Sequence, residues 1–480
     1  MHPDEYLPLS AASKGSVLMI SAGMIRPKKA HNPLTELNLY LNYGLLGLAT
    51  ILKRKNYNPV VFHGHFKNPE SFVRDLERDG YLETEFPILL SIPSSYAIEW
   101  ARFACRIIKQ RRPDASIVVG GRWVTADDGA WIRHQIPDVD LVVFGTAEHC
   151  IEEVLHKLMW HQIGNTDIAP VMNTTIPDVL SQLDYSLLDQ FFDFTPSFEV
   201  SRGCGRGCGF CAEGKVPLSL MKDASVLADE IEACLSIYGQ TDIRAYFEAS
   251  LFNPSLDWIS AITKQFMNRQ FSLQWRAESR ADALSPRHIE LLAKAGLKVL
   301  DVGLESASPQ QLLNMQKTTN PAIYLRRASK LVRACHENGI LTKVNVLLYP
   351  GETKATLMET ESWLEQHREY IKGVSAGPMI MFRYGIASLE FLRHIENHGA
   401  RVVSDSDLDT HGFADIHLSD EFSHQDSLSA ANNIAKNHMS TKDYFDLKSF
   451  SYFSRGLTFE SFQAITLGIH DDSLPFKKTT

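Results

Sequence analysis

The sequence predicts an α/β chain: a doubly wound parallel-sheet domain, a second series of strand–helix units, and a small α-rich extension. Three observations predict it. Short apolar runs alternate with helix-period segments from residue 16 to about 145, and the rhythm returns from 196 to about 390, as repeated βα units require. A stretch holding Pro170 and Pro177 separates the two series. Beyond about 390 the rhythm fades. We therefore divide the chain into 1–160, a linker at 161–195, a second domain at 196–390 and an extension at 391–480. With 480 residues, 44% of them hydrophobic, there is apolar material for two or three cores.

In the first series residues 16–22 form a strand, and Leu41, Leu45, Leu48 and Leu52 fall near one face of a helix over 40–54. Strands at 59–62 and 87–92 follow, then a long helix at 97–111 and strands at 116–121 and 140–145. A sheet of this kind places ligands at its carboxyl edge. Gly120, Gly121 and Gly145 sit there, either letting a ligand approach the backbone or serving ordinary turn chemistry. His63 and His65 follow the second strand as loop or substrate-pocket residues.

The second series opens with a strand at 198–200 and a helix at 222–238 carrying Leu227, Ile231 and Leu235 near one face. Strands at 243–248, 273–278, 299–305 and 343–348 continue it, with helices over 256–268 and 286–295, the latter ended by Gly296. Glu248 and Arg276 are polar residues at strand ends, where a ligand role competes with a solvated end or a structural ion pair.

The chemistry concentrates just after the first of these strands, in Ser201-Arg202-Gly203-Cys204-Gly205-Arg206-Gly207-Cys208-Gly209-Phe210-Cys211. Cys204, Cys208 and Cys211 are spaced Cys-x3-Cys-x2-Cys, and no fourth cysteine follows nearby. Three thiolates on a 4Fe–4S cluster leave one iron open to a substrate or cofactor. The interleaved glycines let the backbone wrap closely and turn N–H groups toward cluster sulfurs. Structural zinc is the alternative, but it takes four ligands, and Cys105, Cys150, Cys234 and Cys335 stand singly. Disulfides do not suit seven cysteines in a chain with no apolar signal segment.

On this motif, with an aromatic residue before its last cysteine, the chain resembles the radical S-adenosylmethionine (SAM) enzymes. The resemblance implies a partial (β/α)6 TIM-type barrel, a 4Fe–4S cluster on the three cysteines, and SAM chelated to the open iron. Gly303-Leu304-Glu305-Ser306 resembles the family's Gly-(Ile/Leu)-Glu-Ser element, and Leu348-Tyr349-Pro350-Gly351-Glu352-Thr353 its Gly-x-Pro-Gly-Glu-Thr turn, with Leu348 in place of glycine. The implied SAM contacts are therefore Glu305, Ser306, Pro350, Gly351 and Glu352, together with Glu248 and Arg276. Lys317 matches a further recurring pattern, its plain alternative being an exposed helix-end lysine.

The N-terminal third is similar to the Rossmann-like cobalamin-binding domain of one large subclass. Gly44-Leu45-Leu46-Gly47-Leu48-Ala49, Val118-Val119-Gly120-Gly121 and Asp140-Leu141-Val142-Val143-Phe144-Gly145 carry the likeness, while Thr146-Ala147 departs from it. No Asp-x-His-x-x-Gly loop follows the first strand, so the resemblance implies cobalamin without a histidine beneath the cobalt, with Gly120, Gly121 and Gly145 along its tail. A cobalamin-dependent radical SAM methyltransferase is implied, acting on an unactivated carbon or phosphorus centre of a small molecule or peptide. A flavodoxin or ferredoxin would be the external electron donor. Alternatives are a radical rearrangement or cyclisation without methyl transfer, and a metal-binding regulatory protein without enzymatic activity.

Charge narrows the partners. A net charge of −9 argues against a nucleic-acid surface, which needs clustered Lys and Arg; with no second cysteine set, tRNA methylthiolation is disfavoured. No apolar run is long enough to span a bilayer, and a reducing cytoplasm suits a cluster beside unpaired thiols. In the extension, Asp405, Asp407, Asp409, His411 and His417 read as a solvated acidic loop or substrate lid rather than a metal site. The aromatic run at 444–453 reads as a small core packing the tail onto the barrel rim.

Overall fold

The computed structural model describes residues 13–26, 32–124, 129–159, 182–240, 242–383, 386–404 and 406–478. Most of the expected linker, and Asp405, lie outside them.

The first sheet has five parallel strands: β1 (Ser16–Ser21), β2 (Asn58–His63), β3 (Ile88–Ser91), β4 (Ile117–Gly120) and β5 (Leu141–Val142). Their order is β2-β1-β3-β4-β5, so the winding reverses between β1 and β3, the place where such sheets open a ligand crevice. Alternate residues of β1 feed opposite cores: Val17 and Met19 on one face, Leu18 and Ile20 on the other. The helix expected over 40–54 begins at Tyr43, because Asn42 caps it by accepting from the Leu45 N–H at 3.1 Å.

The second sheet has six parallel strands: β6 (Ser197–Glu199), β7 (Asp242–Glu248), β8 (Ser272–Arg280), β9 (Leu297–Glu305), β10 (Leu341–Leu348) and β11 (Gly373–Pro378). They lie in chain order, and the first and last do not pair, which gives the partial (β/α)6 arrangement expected of this half. The helices between them start on local caps: Asp223, Ser255 and Asn320 accept from their own first turns, and Thr353 forms a capping box with Thr356.

The extension holds more than helices. β12 (Ile380–Phe382), which comes from the end of the second domain, forms a small antiparallel sheet with the extension's strands β13 (Arg401–Val402) and β14 (Phe413–His417), in the order β12-β14-β13. Helices His424–His438, Thr441–Ser449 and Phe459–Leu467 follow. Tyr444, Phe450, Phe453 and Phe462 share a core with Val299 of β9, so the aromatic run does pack the tail against the barrel.

Candidate functional site

The cysteine loop leaves β6 directly after Glu199. That buried carboxylate accepts from Arg202 (Nη2–Oε2 3.0 Å), and Arg202 also reaches Glu148, past the end of β5, at 2.6 Å. The loop is thereby tied at its root to the carboxyl edge of the first sheet. Gly203, Gly205 and Gly207 have φ of +71°, +66° and +68°, a region that costs any residue with a Cβ. At Gly203 there is also no room, since a Cβ would stand 2.1 Å from the Pro217 carbonyl oxygen. The returning strand of the loop is pinned by Cys204 N–H to Val216 O at 2.9 Å and Gly207 N–H to Gly214 O at 3.0 Å. Gly209 N–H donates to Met315 O at 2.8 Å, tying the loop to the chain after β9.

Cys208 is buried, while Cys204 and Cys211 are partly exposed. Among the described residues no three His, Cys, Asp or Glu side chains converge on one ion. Thiolates on a four-iron cluster each take a different iron, so a cluster does not require such convergence. Three thiols in a glycine-shaped loop, with a cation on one sulfur, fit that group.

The cation is Arg280, which the sequence reading did not single out. Its Nη1 donates to Cys208 Sγ at 3.1 Å. Strand β8 runs two residues beyond the expected 278, and side chains at 276, 278 and 280 share one face. Extending that period by one step finds Arg280. Arg276 on the same face plays a different part. It is fully buried, bidentate with Asp301 (Nε–Oδ2 2.8 Å, Nη2–Oδ1 2.7 Å), and its Nη1 donates to Leu447 O at 2.5 Å. Arg276 thus forms the structural ion pair that the sequence offered beside a ligand role, and it joins barrel to extension.

Glu305 stands at φ +64°, where the β9–β10 register shifts between Asn345 and Val346. This turn folds its carboxylate back over Gly303, whose Cβ would lie 2.8 Å from Glu305 Oε1. The motif's glycine and acid are thus one steric unit. Lys317 Nζ pairs with Glu305 Oε1 at 3.0 Å and stands 5.6 Å from the Phe210 ring centre. Lys317 is buried, which removes the plain alternative of an exposed helix-end lysine.

The remaining expected contacts divide. Glu248 ends β7 beside Glu199 in register, and burial, with Glu278 and Glu199 nearby, pushes its carboxyl up to about 7. Ser306 is buried with its hydroxyl 3.0 Å from Thr360 Oγ1, and it accepts from Ser308 N–H. Glu352 accepts from Thr356 Oγ1 at 2.5 Å, and burial raises it to about 7. Both are engaged within the chain. Gly351 has φ +83° and donates to Leu418 O at 2.7 Å; Pro350 precedes it in the same turn. Tyr349 meets the loop from this side, its ring 6.2 Å from that of Phe210 and its hydroxyl 3.2 Å from His394 Nε2.

Across from the cysteine loop, the crevice between β1 and β3 is bridged by Asn42, whose Nδ2 donates to Ser21 Oγ (3.1 Å) and Ser91 Oγ (3.0 Å). His63 accepts the Asn42 N–H at Nε2, 2.9 Å away, and packs on His65 and Phe194. Burial holds both histidines below the usual imidazole range, His65 at about 4. His63 Nδ1 and Ser95 Oγ are buried here without a hydrogen-bond partner, as groups awaiting a polar ligand would be. Gly121, at φ +114°, has its Cβ position filled by the backbone of Ile92 at 2.7 Å, so its glycine answers to a turn. Gly145 also takes positive φ, +73°, and Gly120 has ordinary space around it.

The two carboxyl edges face each other. Besides Arg202–Glu148, Arg122 after β4 pairs with Glu213 of the cysteine loop's return at 2.8 Å. The extension closes one flank: Trp131 Nε1 donates to Asp409 O at 2.7 Å, and Tyr96 stacks on Phe413 at 4.2 Å. The Asp409 side chain stays exposed, as expected of a solvated segment, while its backbone carbonyl makes a contact between domains.

Residues 198–364 match the model of the radical SAM superfamily. The match covers about a third of the chain and places that stretch in the superfamily. The radical SAM domain implies a 4Fe–4S cluster and SAM. Tryptophan 2-C-methyltransferase of Streptomyces laurentii is 26% identical over 204 residues, 40% of this chain and 34% of that protein. Bacteriochlorophyllide d C-12(1)-methyltransferase of Chlorobaculum tepidum is 22% identical over 240 residues, 47% of this chain and 50% of that protein. The chain thus spans half or less of these two relatives. Among solved structures, the radical SAM methyltransferase TsrM of Kitasatospora setae, with cobalamin and a [4Fe-4S] cluster bound, aligns with 82% of this chain and 78% of its own. The TM-score is 0.60 at 19% identity, a likeness of fold that spans both sheets. Among the described residues no helix is long and apolar enough to cross a membrane.

Proposed function

We propose that the protein is a cobalamin-dependent radical SAM methyltransferase acting on an unactivated carbon or phosphorus centre of a small molecule or peptide. One observation carries this reading: the cysteine loop and the crevice of the first sheet lie on facing carboxyl edges, joined by Arg202–Glu148 and Arg122–Glu213. Two cofactors and a substrate can meet only where such edges converge. When bound, the cluster and corrinoid supply one-electron cleavage of SAM and a transferable methyl group.

The chain's own residues supply position. Cys204, Cys208 and Cys211 hold the cluster, with Gly203 and Gly207 setting the loop's path. Glu305, fixed by Lys317, and the Pro350–Gly351 turn line the SAM side, with Glu248 at the adjacent strand end. His63 and Ser95, with their unpaired buried atoms, and the Gly120 and Gly145 turns line the corrinoid side. A flavodoxin or ferredoxin delivers the electron.

The test is anaerobic incubation of reconstituted protein with methyl-labelled SAM, corrinoid and reductant. Label in the corrinoid fraction together with 5′-deoxyadenosine is the expected result. 5′-Deoxyadenosine without label transfer favours the rearrangement or cyclisation reading. Intact SAM under these conditions contradicts both and leaves a binding or regulatory protein.

A further inference from the structure

Arg280 is held in place from several sides. Nε donates to Asp282 Oδ1 at 2.9 Å, Nη2 to Lys317 O at 2.6 Å, and the guanidinium lies 5.8 Å from the Tyr324 ring centre. Only 8% of the residue is exposed. These anchors leave Nη1 directed at Cys208 Sγ, 3.1 Å away, on a cysteine that is itself buried. The guanidinium keeps its charge at any working pH, and no proton leaves it. Asp282 balances part of that charge from the Nε side, while the sulfur meets an N–H of the fork directly. Lys317, the neighbouring cation, is different: its Nζ lies on Glu305 and against the Phe210 ring.

We propose that Arg280 is a positioning residue that raises the reduction potential of the cluster held by Cys204, Cys208 and Cys211. This rests on reading the loop as a cluster cradle. One electron arrives from an external low-potential carrier, no bond at Arg280 forms or breaks, and the cluster with its thiolates gains one negative charge. A fixed N–H donor and positive charge on a ligand sulfur favour the more negative state. Burial strengthens that preference, because little solvent screens it. A hydrogen bond to a charged group is worth enough to move the reduction equilibrium about tenfold, or about 59 mV for one electron. The fold directs one N–H of this arginine at the sulfur, while Arg276, four residues earlier on the same strand, is taken up by Asp301 and the Leu447 carbonyl.

The experiment compares wild type, Arg280→Gln and Arg280→Lys after anaerobic reconstitution. Iron per chain is measured first, then the midpoint potential by an EPR-monitored titration. The expected result is wild-type iron in both variants. The midpoint should fall by about 59 mV in Arg280→Gln and by less in Arg280→Lys, which keeps the charge but loses the fork. Wild-type iron with an unchanged midpoint in Arg280→Gln overturns the proposal. If that variant loses iron, Arg280→Lys decides: a midpoint equal to wild type overturns the proposal, and a lowered one supports it. Loss of iron from both variants also overturns it, since Arg280 would then serve assembly and not potential. Wild-type protein that takes up no iron defeats the cradle reading itself, a distinct outcome.

Discussion

Substituting alanine at two loop glycines separates backbone conformation from space. Gly203 and Gly207 share the left-handed region, at φ +71° and +68°, so each Gly→Ala change costs about 1–2 kcal/mol in that term alone. Their surroundings differ. Nothing lies within 4 Å of a Cβ at Gly207, whereas at Gly203 it would meet Pro217 O at 2.1 Å, Pro217 C at 2.8 Å and Val216 O at 2.9 Å. All three are backbone atoms and cannot rotate away. Residues 216–217 must move, and the Cys204 N–H to Val216 O bond of 2.9 Å goes with them, another loss of about 1 kcal/mol. The Gly203→Ala loop therefore loses about 2–3 kcal/mol plus the unrelieved overlap, with Cys204 displaced. The assay is iron per chain after anaerobic reconstitution, with circular dichroism as the control for folding. Gly207→Ala should retain most of its iron and Gly203→Ala should lose most, both keeping wild-type secondary structure. Wild-type iron in Gly203→Ala refutes the steric argument.

Three further outcomes follow from the buried charges. Arg276→Met strands Asp301, whose side chain is 1% exposed, with only Lys343 at 3.3 Å as a cationic partner; urea unfolding should show a loss of about 3–5 kcal/mol, and a loss under 1 kcal/mol would remove the structural role assigned to this pair. Glu248, raised to about 7 mainly by burial, binds its proton more tightly folded than unfolded. Its contribution to stability is therefore present below the ordinary glutamate range and is lost as pH rises through about 7, by up to about 3 kcal/mol. Urea midpoints from pH 5 to 8 should fall less steeply in Glu248→Gln; identical slopes would contradict the assignment. Lys317→Met leaves Glu305 without its 3.0 Å partner and should weaken SAM binding at least tenfold by calorimetry; unchanged affinity would detach this pair from the SAM side.

The fold was legible because each half repeats a period that its sheet needs. Ile88–Ser91 and Ile117–Gly120 read as apolar runs since both faces of their sheet are covered. The antiparallel strands of the extension were not legible. Arg401–Val402 has two residues and Phe413–His417 five, too few to show a period. At the site, the three cysteines declare themselves by spacing, and Glu305 by its glycine, for which the structure supplies the steric reason. Arg276 and Arg280 show where spacing stops informing: both lie on one face of β8, and only the partners brought by distant chain separate them. Asp301 and Leu447 claim the first, Cys208 the second. The burial of Lys317 was not legible for a related reason, since tertiary packing leaves no local mark.

The measurement that tests the central claim most directly is iron, sulfide and corrinoid per chain in anaerobically reconstituted wild type, beside Cys208→Ala. The account predicts the iron and sulfide of one 4Fe–4S cluster with one corrinoid in wild type, and loss of the iron with retention of the corrinoid in the variant. A single zinc in place of iron, or iron that survives removal of Cys208 unchanged, would contradict it.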